Sequence, residues 1–199
     1  MRSVFLFTED LGLEGFVKAV LQKLAAEHGI DVRILPYSVT QGRGQMLTQL
    51  RGFFRDLSAG NARVPDCVVV ATDANCKGLN QRQRDVESAI PDALRSLTVY
   101  AIPDPHVERW MLLDSATFKE VYGRGCDAPD RKCEKDRFKV ILYNAISAAC
   151  GPPVGPVMDA ASDVVAAMDL HSVARQDESL GRFVKAVDAK FIEWTQQAG

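Results

Sequence analysis

Cys67-Val68-Val69-Val70-Ala71-Thr72-Asp73-Ala74-Asn75 is the stretch whose reading decides the fold. Cys67 to Ala71 is short, uncharged and rich in β-branched residues, as a strand buried on both faces should be. Polarity begins abruptly at Thr72-Asp73. Upstream, Val4-Phe5-Leu6-Phe7-Thr8 has the same character and is broken by Glu9-Asp10-Leu11-Gly12. Asp31-Val32-Arg33-Ile34-Leu35 gives a further strand. Downstream, Leu97 to Ile102 gives a fourth, closed by Pro103-Asp104-Pro105. Between them lie helical patterns. Phe16, Val17, Val20, Leu21 and Leu24 form one apolar stripe, ended by Gly29. Met46, Leu47, Leu50, Phe53, Phe54 and Leu57 form another, after a polar loop from Ser38 to Gly44. Residues 78–95 are polar and helix-prone, interrupted at Pro91, and Val107, Trp110, Met111 and Leu113 begin a further helix. Strands alternating with helices predict an α/β fold: a mostly parallel sheet with helices on both faces.

The character changes after Gly123-Arg124-Gly125. Charged residues (Arg131-Lys132, then Glu134 to Arg137) precede a helical set at Phe138, Ile141, Leu142 and Ile146. Residues 157–170 and 179–194 read as two more helices. The expected organisation is an α/β domain over residues 1–122 and a helical C-terminal extension over 123–199.

With 199 residues the chain can bury a core without staples. Its 47% hydrophobic and 25% charged residues argue against disorder. A net charge of −2 advertises neither nucleic acid nor a membrane surface as a bulk partner, although a local patch could still bind phosphate. The apolar run after Met1 is too short for a signal peptide or a membrane span. The five cysteines are therefore expected as free thiols in the cytoplasm.

Parallel strands gather their following loops on one edge of the sheet, where open α/β folds place their sites. Those loops carry Glu9 and Asp10, then Asp73 and Asn75, then Asp104 with Glu108 in the next helix. Asp10 reads as a helix cap and Asp104 as a turn residue or cap. Asn75 reads either as a neutral metal ligand or as a turn residue. Glu108 reads either as a site acid or as an exposed helical one. Glu9 and Asp73 remain as the core of a site. Hard cations such as Mg²⁺ take such oxygen ligands, and a cation held there can polarise a phosphoryl oxygen and activate water.

A strand ending in Glu, then a helix, then a later hydrophobic strand ending in Asp-x-Asp, resembles the TOPRIM domain of topoisomerases, primases and OLD-family nucleases. Here the two parts are Phe7-Thr8-Glu9 and Val70-Ala71-Thr72-Asp73-Ala74-Asn75. The chain looks closer to a small TOPRIM-like group encoded beside ABC-type ATPases in bacterial defence loci. Gly42-Arg43-Gly44 matches that group's Gly-rich segment, and Pro105-His106-Val107-Glu108-Arg109-Trp110-Met111-Leu112-Leu113 matches its Pro-x-x-Glu-x-Trp-Leu-Leu segment. The resemblance covers about residues 3–122. Two departures stand out: Asn75 replaces the second acid, and Glu9-Asp10 replaces Glu-Gly.

The resemblance implies Mg²⁺- or Mn²⁺-dependent phosphodiester chemistry on DNA or RNA. A partner ABC-type ATPase in anti-phage defence is implied with it. It assigns Glu9 as general base or metal ligand, Asp73 as principal metal ligand, Asn75 and Glu108 as completing the shell, and Arg43 and Lys77 as phosphate contacts. Asn75 keeps a second expectation open: a catalytically silent subunit that binds an ATPase or nucleic acid. A small-molecule or phosphate-binding module is a third.

Other chemistries lack their parts. Cys126 and Cys133 have no second pair or suitably spaced His for zinc, and His106 and His171 read as isolated. Cys76 has no evident base. The phosphate-cradling G-x-x-x-x-G-K-[ST] motif of ATPases is absent. A receiver-like fold would need a Lys after its last strand, and Pro103-Asp104-Pro105 offers none.

Overall fold

The computed structural model describes residues 1–38, 42–134 and 136–198. Residues 39–41 of the expected polar loop, and Lys135 of the charged run, lie outside the described residues. The chain order is β1 (Arg2–Thr8), α1 (Leu11–Glu27), β2 (Val32–Ser38), α2 (Arg43–Ser58), β3 (Cys67–Ala71), α3 (Leu79–Glu87) and β4 (Thr98–Ala101). It continues through α4 (Val107–Met111), α5 (Ser115–Tyr122), α6 (Arg137–Cys150), α7 (Ala161–Ala167), α8 (Leu170–Ala174) and α9 (Glu178–Ala198). The strands form one four-stranded, all-parallel sheet in the order β2-β1-β3-β4. The expected α/β class is therefore the observed one.

The two-residue strand period sorts the core into two layers. Val4, Leu6, Val69, Ala71, Val99 and Ala101 meet α1 and the C-terminal helices. Phe7, Val68 and Val70 meet Met46, Leu50 and Phe54 of α2 and Val86 of α3. Every residue of β3 is buried, as its uncharged sequence requires. The strands stop before residue 123, but the first core layer does not: Val164, Phe183, Phe191 and Trp194 share it with β1 and α1. The indole of Trp110 stacks on Phe183 at 6.1 Å and donates to Ser179 Oγ. Gly181 lets α9 approach α8, since a Cβ there would sit 2.5 Å from the Ala174 carbonyl oxygen.

Several boundaries differ from the sequence reading. The edge strand β2 runs on through Pro36 to Ser38, because an edge strand can accommodate a residue without an N–H. Helix α2 begins at Arg43, inside the expected loop, after Gly42 turns at a φ of 78°. The helix from Val107 is split, because Asp114 accepts from the N–H groups of Ala116 and Thr117 and starts α5 anew. The helix expected over 157–170 is confined to α7, with α8 following. No helix among the described residues is long and apolar enough to cross a membrane.

One expectation is overturned. Cys76 and Cys133 form a disulfide across 57 residues, and Cys67, Cys126 and Cys150 remain free. The fold brings the loop after β3 against the segment before α6, which sequence distance concealed.

Candidate metal centre at the sheet edge

Strand order reverses direction between β1 and β3: β2 follows β1 on one side, and β3 with β4 lie on the other. Such a switch point opens a crevice outside the carboxyl ends of the two strands. Glu9 leaves β1 and Asp73 leaves β3 at that place. The backbone N–H of Asp73 donates to Glu9 Oε1 at 2.8 Å. Asp10, by contrast, accepts from the Leu13 N–H at 2.8 Å and caps α1, the role expected of it.

The loop after β4 is stitched to the loop after β3. The N–H groups of Thr72, Ala74 and Asn75 donate to the carbonyls of Ala101, Pro103 and Pro105. That ladder carries His106 and Glu108 to Asp73. His106 Nδ1 lies 2.9 Å from Asp73 Oδ2, and the Val107 N–H donates to Asp73 Oδ1 at 3.1 Å. One ligand atom from each of Asp73, His106 and Glu108 falls within 4.8 Å of the others. His106 is thus not isolated, contrary to the sequence reading. It stands two residues from Glu108, and that spacing was the available signal.

Burial governs the electrostatics. The Asp73 side chain is 13% exposed, and burial pushes its carboxyl up to about 7 despite the bond from His106. The bond to Asp73 in turn raises His106 above the ordinary imidazole range. Burial also raises Glu9 and Glu108. Glu108 is only 4% exposed, so it is not the surface acid that a helical position allows.

A buried arginine sets the Asp73 backbone. Arg82 is 1% exposed; its Nε donates to the Asp73 carbonyl at 2.8 Å and its Nη2 to the Ala74 carbonyl at 3.2 Å. Asn75 adopts a φ of 51°, and its Nδ2 donates to the Asp73 carbonyl at 3.2 Å, a turn-forming contact.

These groups line a cleft of about 800 Å³. Glu9, Asp73, Asn75, His106 and Glu108 lie on its wall, together with Cys76, Cys133 and Lys139. The charge of Arg43 acts favourably on Glu9. Lys77 is 55% exposed, pairs with Asp85 at 3.4 Å and is not among the lining residues. The structure therefore gathers Glu9, Asp73, Asn75 and Glu108, puts Arg43 within electrostatic reach, and leaves Lys77 apart. It adds His106, Arg82 and the Cys76–Cys133 bridge.

Comparison of the chain with protein-family models, with curated proteins and with solved structures finds no match.

Proposed function

We propose that this chain cleaves phosphodiester bonds of nucleic acid with the help of a divalent cation. In this reading it is a TOPRIM-like subunit working with an ABC-type ATPase in anti-phage defence. The convergence of Glu9, Asp73 and Glu108 at the switch point carries the reading, with Asp73, His106 and Glu108 offering ligand atoms within 4.8 Å of one another. The donor set fits a cation. Asp73 and Glu108 supply carboxylate oxygens, and Glu108 is buried without an ion pair among the described residues.

Asp73 and Glu108 would hold the cation, which supplies charge stabilisation at a phosphoryl oxygen and a more acidic attacking water. Glu9 stands beside Asp73, and burial makes its carboxylate more basic than an exposed one, which suits it to accept a proton from that water. Lys139 on the cleft wall and Arg43 near Glu9 offset the negative charge of a phosphate chain. The cleft volume of about 800 Å³ admits a nucleotide segment.

One observation favours a second reading. The Asn75 amide is engaged in its own turn, so the position of the missing acid adds no charge to the site. A catalytically silent subunit that binds the ATPase or nucleic acid has the same fold and needs no such charge.

The test is incubation of the purified chain, alone and with an ABC-type ATPase of the kind this reading calls for, with DNA and with RNA in Mg²⁺ or Mn²⁺. Cleavage that disappears in Glu9→Ala supports the enzyme. Stable association with the ATPase, with intact nucleic acid under every condition, supports the silent subunit.

A further inference from the structure

We infer that the centre selects a first-row transition-metal ion over Mg²⁺, because His106 enters the coordination shell as a nitrogen ligand. The inference rests on the reading that this cluster holds a cation, and it names which cation. An octahedral ion with bonds of about 2.1 Å sets adjacent ligand atoms about 3.0 Å apart and opposite ones about 4.2 Å apart. His106 Nδ1 and Asp73 Oδ2 are 2.9 Å apart, the spacing of adjacent ligands. The Asp73, His106 and Glu108 ligand atoms all fall within 4.8 Å, so one ion can touch all three after small side-chain adjustments.

Glu108 supplies the independent observation. Its residue is 4% exposed, it lines the cleft, and among the described residues the hydrogen bond that acts on its carboxylate comes from its own backbone N–H. Among the described residues no cation pairs with it: Lys139 and His106 act on it only at longer range. A buried carboxylate left without a positive partner is costly, and a cation at the cluster removes that cost. Mg²⁺ favours all-oxygen shells and keeps its waters. Imidazole suits the later first-row ions, whose affinity for mixed nitrogen and oxygen sites rises from Mn²⁺ to Cu²⁺. One imidazole with two carboxylates therefore shifts selectivity toward Mn²⁺ and the ions after it.

The experiment uses the whole chain with Mn²⁺ and Mg²⁺ as probes. Calorimetric titration should give Mn²⁺ binding at least about tenfold tighter than Mg²⁺. Pulsed electron paramagnetic resonance of the Mn²⁺-loaded protein should show nitrogen modulation from a coordinated imidazole. That modulation should vanish in Glu108→Gln, which leaves all three histidines in place. His28 and His171 lie beside Glu27 and Asp188 at the far end of α1, roughly 25 Å from the cleft, so a signal from Mn²⁺ bound there would persist in Glu108→Gln. His106→Gln should lose roughly 10- to 100-fold in Mn²⁺ affinity and less for Mg²⁺. Equal Mn²⁺ and Mg²⁺ affinities, or a Mn²⁺ signal without nitrogen modulation, overturns the inference while leaving a Mg²⁺-dependent nuclease intact. Nitrogen-coordinated Mn²⁺ without cleavage of any nucleic acid sustains the inference and defeats the phosphodiester reading.

Discussion

Asp73 donates its backbone N–H to Glu9 Oε1 at 2.8 Å, across 64 residues of sequence. The bond joins the ends of the two strands that flank the switch point. It fixes the Glu9 carboxylate against the residue whose side chain meets His106. Glu9→Gln retains a carbonyl oxygen to accept this bond, so the fold should persist with little change in melting temperature. Proton acceptance should be lost, lowering nucleic-acid cleavage at saturating Mn²⁺ at least about 100-fold. Rates measured beside a thermal melt check this; a Gln variant as active as the native chain removes Glu9 from the chemistry.

The raised carboxyls give a pH dependence of known sign. Asp73 has an ordinary value of 3.8 and a folded value of about 7, so between the two the folded chain holds a proton that the unfolded chain has released. Stability then falls as pH rises through that window. His106, raised by Asp73, acts in the same direction, since its contribution is present below the ordinary imidazole value and is lost as pH rises through its folded value. The metal-free protein, held in chelator, should melt higher near pH 5 than near pH 8, at roughly 2–4 °C per kcal/mol for a chain of this size. Asp73→Asn should flatten the slope. Scanning calorimetry across the window is decisive: a melting temperature that rises toward pH 8 refutes the assignment.

Sequence alone made the scaffold legible where physics is local. Cys67 to Ala71 is apolar on both faces, and that suffices to place a buried central strand. Glu9 and Asp73 follow from chain order once the strands are parallel. Glu108 did not, because α4 is little more than one turn and all five of its residues are buried, so no exposed face exists for periodicity to reveal. His106 was hidden for a different reason. It reaches Asp73, 33 residues away, only through the backbone ladder that ties residues 72–75 to 101–105. Arg82 lies in the polar, helix-prone segment 78–95, where nothing in the sequence marks it, yet its guanidinium is buried against two carbonyls.

The Cys76–Cys133 bridge was invisible for a related reason, since residues 125–134 have neither helix nor strand to carry a pattern. That segment is tied down by the bridge, by Arg109 Nε donating to the Pro129 carbonyl, and by Arg131 pairing with Asp177 at 3.3 Å. Thiol titration in denaturant should find three reactive cysteines before reduction and five after. Closing 57 residues of chain contributes up to about 4 kcal/mol through the unfolded state. Reduction, or Cys133→Ser, should therefore lower the melting temperature by roughly 5–15 °C. Five thiols without reductant eliminate the bridge.

Arg82 is a positioning residue whose effect can be separated from its contribution to folding. Its guanidinium forks onto the carbonyls of Asp73 and Ala74, and its Nη1 reaches Asp85 at 3.3 Å. Arg82→Ala leaves two carbonyls without this donor and a cavity behind it, and should cost about 2–4 kcal/mol. Arg82→Lys retains charge and much of the volume, but an ammonium cannot reproduce the planar fork. The Lys variant should stay folded while the Asp73 backbone relaxes. Its Mn²⁺ affinity should then fall roughly tenfold, as when a supporting hydrogen bond behind a metal ligand is removed. Calorimetric titration at matched folded fractions separates the two effects. Native Mn²⁺ affinity in a folded Arg82→Lys protein reduces Arg82 to a core residue with no bearing on the site.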